Sequence, residues 1–287
     1  MIKSANDTWR EIAEVNNLKW EFKLLGKDQD IPVIVANDYW KFPDQVADFL
    51  RQGHWWTNGC NDLDGIVRPG KSLYIHEEIL DWFAEPIARS LRPIFGVNKM
   101  GINSVNGNCF NGNMELDSIY SAMPHTDVVG DMNVVTDQSH VALNINLTKD
   151  SDPVSTAFYS YNGKKSRLHF NHIDTVEENQ FLESLDKSMA YDAKWFQIEN
   201  YGPYKLEDSY TMVYNSIVCY PTHFLHSPYI KKEWFLNTDR ITLAAFLNTQ
   251  PKDLDFVEAN TENISYAWEF FNLDKIHNFH PKKTKPL

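Results

Sequence analysis

The chain has 287 residues, of which 43% are hydrophobic and 14% aromatic, so it has enough apolar surface for a substantial core. Its formal net charge of −12 disfavours binding to duplex nucleic acid, which depends on clustered lysine and arginine. The first residues lack a signal-peptide pattern, and no stretch approaches the roughly 20 apolar residues of a membrane span. We therefore expect a globular, soluble protein with no membrane partner.

The three cysteines, Cys60, Cys109 and Cys219, are odd in number and far apart in the sequence. This spacing fits neither a disulfide framework nor a CxxC zinc site. It predicts a reducing compartment, the cytoplasm. The short basic tail from Lys282 to Lys285 is expected to be solvated.

In the first hundred residues the pattern is mixed. Helical character is predicted for 8–15, followed by strands at KWEFKLL and PVIVAN. A helix is predicted from Pro43 to Gln52, with Pro43 in its first turn and Gly53 as its C-terminal cap. A second helix is predicted from His76 towards Phe95, and Pro86 is expected to kink or split it.

From about Gly101 onward short β-rich segments follow one another: NSVNGNCFNG, HVALNINLT, STAFYSY, YTMVYNSIVCYP and RITLAAFLN. This succession predicts an antiparallel barrel or sandwich. One helical insertion is predicted from Asp174 to Ala190, with Thr175 and Glu178 as a capping box. A last helix is predicted over 253–272.

No internal repeat or low-complexity linker divides the chain, so a single domain is expected over 1–287. Within it, approximately 1–100 would form an α/β support region and 101–250 the β core, with the insertion near 164–204. Residues 251–287 would form a helical extension and tail.

A His-x-Asp/Glu motif on a strand places two metal ligands on one side, because residues i and i+2 share a face. Two histidines and one carboxylate hold iron(II) while leaving other positions open. Such motifs also arise by chance, and the chain has three: His76/Glu78, His125/Asp127 and His172/Asp174. The first and third lie at predicted helix starts, where acidic residues favour the helix dipole, so His125/Asp127 is preferred.

Residues further along the chain strengthen this preference. After a strand ending at a Pro-Thr turn, a short strand carries His226, and a final strand opens with Arg240 and Thr242. An arginine offers a planar, charged fork for a carboxylate, and a hydroxyl on the same face adds a hydrogen bond. His223 competes with His226, since the two cannot face the same way on a strand; His226 is preferred because it lies inside the strand.

The elements PHTD, LNINL, TAFYSY, YNSIVCYPTHFLHSP and DRITLAAFLN together resemble the 2-oxoglutarate/iron(II) dioxygenase superfamily, over approximately residues 101–250. The resemblance is strongest to an uncharacterised branch with PHxD, a distal His and a closing RxT strand. It implies a mainly β protein with flanking helices: a double-stranded β-helix, or jelly roll, buttressed by N-terminal helices. The segment from about Lys164 to Tyr204 departs from compact members of the superfamily.

The resemblance further implies residue roles. His125, Asp127 and His226 would hold Fe(II), and Arg240 with Thr242 would anchor 2-oxoglutarate, the cosubstrate alongside O₂. The expected reaction is hydroxylation with release of succinate, since related halogenases lack the carboxylate that Asp127 supplies. Asn144, Asn146 and Tyr159 are weaker candidates for cosubstrate contact.

Substrate identity does not follow from the sequence, nor does the oligomeric state. A small molecule, a free amino acid or a peptide side chain is expected, and Trp40, Trp55, Trp56 and 58–69 are candidates for a pocket mouth. Two alternatives stay open: a jelly-roll module that binds a ligand without catalysis, and a cupin-like zinc or manganese enzyme. Neither needs a buried cation at Arg240.

Overall fold

The computed structural model describes residues 5–52, 56–60, 67–74, 77–96, 100–110, 124–127, 140–149, 152–184, 200–230, 234–248 and 271. The α-helices within these ranges are α1 (Ala5–Ile12), α2 (Pro43–Gln52), α3 (Glu77–Phe95) and α4 (His172–Ser184). The strands are β1 (Glu21–Leu25), β2 (Ile31–Ala36), β3 (Trp56–Cys60), β4 (Val67–Tyr74), β5 (Gly101–Phe110), β6 (His140–Asn146), β7 (Val154–Tyr161), β8 (Asn200–Tyr201), β9 (Tyr204–Met212), β10 (Ser216–Pro221), β11 (His226–Tyr229) and β12 (Arg240–Asn248).

The strands form two antiparallel sheets. The large sheet has the order β1-β2-β10-β6-β12-β5-β4-β3 and the small sheet the order β11-β7-β9-β8. Residues 124–127 extend the small sheet, because His125 bridges His226 on β11. From β5 onward the chain moves between the sheets in the order of a jelly roll, with β5, β12, β6 and β10 adjacent in one sheet and 124–127, β11, β7 and β9 adjacent in the other. The predicted mainly β, double-stranded β-helix class is confirmed.

The alternation of side chains along each strand divides the large sheet into two faces. One face packs apolar residues such as Ile145, Ile217 and Leu243 against Trp9 and Leu91 of the helices. The other face meets the small sheet through a second apolar cluster that includes residues of both sheets: Val33, Val35, Val218, Val154, Phe158 and Met212. The helices α1, α2 and α3 therefore buttress the large sheet from outside, as expected.

Of the two effects expected of Pro86, a kink or a split, the split does not occur, because helix α3 continues through this residue. Proline removes the hydrogen bond to the carbonyl four residues earlier, that of Trp82. Trp9 Nε1 of α1 donates to this Trp82 oxygen at 2.7 Å and so replaces the missing bond. The helix can accommodate the proline because α1 packs beside it.

Helix α4 begins earlier than predicted, and Thr175/Glu178 is not its capping box. Asn171 Oδ1 accepts from the Asp174 N–H at 3.0 Å, and Asp174 Oδ2 accepts from the Asn171 N–H at 2.7 Å. This reciprocal pair forms the cap one turn earlier. Glu178 is buried instead, where it is ion-paired with Arg167 and accepts a hydrogen bond from Tyr204.

Several sequence predictions fall on or near undescribed residues. Gly53, Trp55, His76 and 185–190 lie outside the described residues, as does the C-terminal region except Phe271, which is helical and packs against Phe95. Trp40 is fully buried in the helix-side core, so it does not line a pocket mouth. No helix in the described part of the chain is long and apolar enough to cross a bilayer. The predicted division of the domain into regions stays a prediction.

Candidate metal centre

The structure brings the three predicted metal ligands together at the edge of the small sheet. His125 and His226 exchange two backbone hydrogen bonds, each 2.9 Å long, so their side chains lie side by side. Asp127 follows two residues after His125 and its N–H donates to the Thr222 carbonyl at 3.1 Å. Residues distant in sequence therefore meet because a short extended segment pairs with β11.

The ligand atoms of these three side chains all lie within 4.8 Å of one another. His226 Nε2 is 2.9 Å from Asp127 Oδ2, and His125 Nε2 is 3.8 Å from Asp127 Oδ1. The side chain of His226 is 5% exposed and that of His125 is 34% exposed. The cluster is therefore sealed on the His226 side and open on the His125 side.

A backbone carbonyl fixes the orientation of the distal imidazole. His226 Nδ1 lies 2.9 Å from the carbonyl oxygen of Phe224, which can only accept a hydrogen bond. The proton of a neutral ring therefore resides on Nδ1, and Nε2 presents its lone pair towards Asp127 and His125. Metal-binding histidines characteristically donate their other ring N–H in this way.

His223, the competing distal candidate, lies elsewhere. Its Nδ1 is hydrogen-bonded to Ser166 Oγ at 2.9 Å, and burial lowers the pKa of His223 to about 3, so the ring is neutral near pH 7. The cluster of candidate ligands contains His226 and not His223. The predicted preference for His226 agrees with this geometry, although His226 is the first residue of β11 and does not lie inside the strand as expected.

The other two His-x-acid motifs do not join the cluster. Asp174 of His172/Asp174 belongs to the α4 cap and accepts a hydrogen bond from Lys164, and these contacts hold the pKa of its carboxyl below the usual value. His76 lies outside the described residues, and Glu78 lies in the first turn of α3. The helix-start interpretation therefore fits Asp174.

Arg240 points into the space between the sheets. It is 5% exposed, and its Nη1 donates to Thr242 Oγ1 at 3.4 Å. Its Nε has no hydrogen-bond partner, and none of the described carboxylates forms an ion pair with it. Burial lowers the pKa of this guanidinium to about 10, which leaves it charged at neutral pH. A buried, charged and unpaired arginine is costly unless an anion joins it.

Strand register connects the face that carries Arg240 to the metal cluster through a series of contacts. The Arg240 guanidinium lies beside Thr242, and Ala244 is one step further along the same face, paired with Asn144. Asn144 Nδ2 donates to the Tyr220 hydroxyl at 3.1 Å, and the Tyr220 ring is 4.8 Å from the His226 ring.

The weaker candidates for cosubstrate contact, Asn144, Asn146 and Tyr159, differ in their surroundings. The side-chain amide of Asn146 is already hydrogen-bonded within the protein, since it donates to the carbonyls of Met212 and Val213 and accepts from the Thr148 N–H. Tyr159 packs in a cluster on the outer face of the small sheet, away from the space between the sheets. Asn144 faces that space.

Two residues of the inner face were not singled out by the sequence analysis. Tyr220 contacts the distal histidine, and Asn108 is paired with Thr242 and has a buried Oδ1 without a hydrogen-bond partner. Strand alternation carries the signal for Tyr220, which shares a face of β10 with Val218. The position of Asn108 depends on the β5–β12 register, which local sequence does not specify.

Comparison with known proteins gives a family and several distant structural likenesses. HygX from Streptomyces hygroscopicus, crystallised with nickel and 2-oxoglutarate, has 10% identity and a TM-score of 0.45, over 76% of this chain and 83% of HygX. SnoK from nogalamycin biosynthesis, a non-haem α-ketoglutarate-dependent carbocyclase, has 12% identity and a TM-score of 0.41, over 89% of this chain and 84% of SnoK. The Kdo hydroxylase KdoO, a non-haem Fe(II) α-ketoglutarate-dependent dioxygenase, has 13% identity and a TM-score of 0.33, over 59% of this chain and 61% of KdoO.

SnoK and KdoO are named as members of the enzyme class that the sequence motifs resemble. At these identities and TM-scores the likenesses are distant, so the function proposed below rests on the geometry of the site. No curated protein matches the sequence. Residues 17–247 match one family model, and the chain thus belongs to DUF6445, a family of unknown function.

Proposed function

We propose that this protein is an iron(II)- and 2-oxoglutarate-dependent oxygenase. In this proposal His125, Asp127 and His226 hold the metal, and Arg240 with Thr242 anchors the far carboxylate of the cosubstrate. The observation that carries it is the buried guanidinium of Arg240. It has no carboxylate partner among the described residues, and it faces the same inter-sheet space as a cluster of two histidines and one carboxylate.

The donor set fits iron(II). Two imidazoles and one carboxylate occupy one side of a metal ion and leave the remaining positions for other ligands. The ordered Nδ1 contact of His226 and the backbone bond of Asp127 hold two of the donors before metal arrives. The greater exposure of His125 places the open side of the cluster next to that residue.

The arginine fits a dicarboxylate cosubstrate. Its fork binds a carboxylate through two parallel hydrogen bonds, and Thr242 Oγ1 lies within reach of the same anion. Binding would place a negative charge beside a buried positive one and so offset the desolvation that lowers the Arg240 pKa. The other carboxylate of the diacid would then lie near the metal cluster.

Iron(II) bound there with 2-oxoglutarate and O₂ would supply the oxidative step, with succinate and carbon dioxide as cosubstrate products. The protein holds the reactants in place and limits the entry of water. Asp127 occupies a metal position as a carboxylate, which favours hydroxylation of the substrate. We propose a small molecule, a free amino acid or a peptide side chain as substrate.

The compartment we propose is the cytoplasm. Cys109 and Cys219 are buried thiols that form no disulfide with a described residue, and burial raises the pKa of the Cys219 thiol well above its usual value. Buried, reduced thiols are compatible with a reducing environment.

A ligand-binding module without catalysis and a zinc or manganese cupin-like enzyme are the alternatives. Neither accounts for a buried arginine at the start of β12 that has no carboxylate partner in the described part of the chain. Incubation of the purified protein with iron(II), ascorbate and 2-oxoglutarate distinguishes the proposed oxygenase from these two alternatives. The proposal expects slow succinate release without added substrate; metal binding without succinate would favour the cupin-like enzyme, and no metal binding would favour the module.

A further inference from the structure

The turn that precedes the distal histidine orients two of the three candidate ligands. This turn, Thr222–Leu225, is called the ligand turn here. The carbonyl of Thr222 accepts the Asp127 N–H at 3.1 Å, and the carbonyl of Phe224 lies 2.9 Å from His226 Nδ1. Any shift of the ligand turn would therefore move the Asp127 backbone and the His226 ring together.

A second segment, Lys164–Arg167, lies along the ligand turn and is called the strap here. The Leu225 N–H donates to the Lys165 carbonyl at 3.0 Å, and the Arg167 N–H donates to the His223 carbonyl at 2.9 Å. Ser166 and Phe224 form a β-bridge. The strap lies at the start of the segment that departs from compact members of the superfamily.

One side-chain contact locks the strap to the ligand turn. Ser166 Oγ and His223 Nδ1 are hydrogen-bonded at 2.9 Å, and both residues are buried. Ser166 Oγ also accepts the Leu168 N–H at 3.1 Å, which fixes the hydroxyl at the start of a short 3₁₀ turn. His223 thus joins two backbone segments rather than facing the metal cluster.

The strap is held from its far side by charged residues. Lys165 Nζ contacts Asp28 at 2.9 Å and Asp30 at 2.8 Å, both from the turn between β1 and β2. Arg167 is ion-paired with the buried Glu178 of α4. The strap is therefore a fixed support, and a bond between it and the ligand turn restrains the turn.

We propose that Ser166 and His223 are positioning residues that hold the ligand turn, and through it Asp127 and His226, in the metal-binding arrangement. This inference rests on the proposed function. It assigns a role in metal binding to the strap, which lies at the start of the insertion predicted near 164–204. Supporting residues around metal ligands characteristically affect metal affinity, and their loss costs about 10- to 100-fold.

Cobalt(II) is a suitable probe, because its visible absorption reports coordination geometry without turnover. The variants are Ser166→Ala, which removes the hydroxyl, and His223→Leu, which removes the ring nitrogen. His223→Asn serves as a rescue, because an amide group can occupy the position of Nδ1. The matched control is Ser155→Ala, since Ser155 is equally buried and its hydroxyl is bonded to Thr211 at 2.8 Å on the same sheet.

We expect Ser166→Ala and His223→Leu to bind cobalt(II) about 10- to 100-fold more weakly than the wild type, with an altered spectrum. His223→Asn should keep most of the affinity, and Ser155→Ala should bind as the wild type does. If Ser166→Ala does not fold, the Leu and Asn variants of His223 decide the question.

Wild-type affinity and spectrum in Ser166→Ala and His223→Leu would overturn the positioning role, as would equal weakening by Ser155→Ala. A separate control tests the underlying site. If His226→Ala binds cobalt(II) as tightly as the wild type, the proposed metal site itself is wrong, and the positioning role is overturned with it.

Discussion

The two faces of β12 differ in chemistry although they belong to one strand. Ile241, Leu243, Ala245 and Leu247 face the helices and are buried in an apolar core. Arg240 and Thr242 face the small sheet, where the arginine is buried and the hydroxyl is its described hydrogen-bond acceptor. One face therefore stabilises the fold, whereas the other carries a buried charge with no carboxylate partner among the described residues, and such a charge is costly unless an anion joins it. Substitutions on the two faces should separate stability from binding.

The largest effect is expected at the metal cluster. Asp127→Ala removes the carboxylate between the two imidazoles, so 2-oxoglutarate turnover should fall to the background measured without enzyme. Succinate release is the measurement. Asp152→Ala is the matched control, because Asp152 is likewise a carboxylate held by the fold, its Oδ2 accepting the Phe235 N–H at 2.7 Å, yet it lies outside the cluster. Equal activity in both variants would show that Asp127 is not a ligand.

On the inner face, Arg240→Met should weaken 2-oxoglutarate binding by about 2–5 kcal/mol, because a buried charge partner is lost. The same change should raise the unfolding free energy of the ligand-free protein by about 1–3 kcal/mol, since it removes a buried charge that has no carboxylate partner among the described residues. Titration calorimetry and chemical denaturation measure the two quantities. A variant that loses stability and keeps its affinity would contradict the assigned role.

On the helix face, Leu243→Ala should lower the unfolding free energy by about 2–5 kcal/mol, because it leaves a cavity in a fully buried core. Metal and 2-oxoglutarate affinity should stay close to wild type in the folded variant. Denaturation and titration of the same preparation test this. If the fully folded Leu243→Ala variant lost affinity for the metal or for 2-oxoglutarate, the two faces of β12 would be coupled.

The smallest expected effect, taken over a single pH unit, concerns the dependence of stability on pH. Burial lowers the pKa of His223 to about 3, against an ordinary value of 6.5. Between these values the His223 side chain binds up to one proton more in the unfolded chain than in the folded chain, so its contribution to stability falls as the pH falls from 6.5 towards 3. His223→Asn lacks this group, so its metal-free form should lose up to about 1.4 kcal/mol less per pH unit than the wild type. If the unfolding free energy of the wild type and of His223→Asn depended on pH in the same way, this would contradict a buried, neutral His223.

Sequence alone predicted the features that depend on local pattern. The end of β10 at Pro221 and the start of β12 at Arg240 follow from a turn signal and from strand alternation, whereas His226 was expected inside its strand and is the first residue of β11. The α2 bounds also agree, since Pro43 suits a first helical turn. Local chemistry decides these positions, so sequence can specify them.

The features that the sequence did not predict depend on contacts between residues that are far apart in the sequence. Pro86 stays within α3 because Trp9 replaces a hydrogen bond across 73 positions of sequence. The pairing of His125 with His226 and the bond between Ser166 and His223 also join distant segments. Glu178 was predicted as a cap because its sequence spacing fits one, whereas the buried Arg167 contact determines its place.

The most direct measurement is an anaerobic titration of the metal-free protein with iron(II), followed by 2-oxoglutarate, in the wild type and in His226→Ala. We expect one iron per wild-type chain, 2-oxoglutarate binding that is tighter after iron is added, and loss of both in the variant. Iron binding of unchanged affinity in His226→Ala, or 2-oxoglutarate binding that ignores the metal, would contradict a shared site between the sheets.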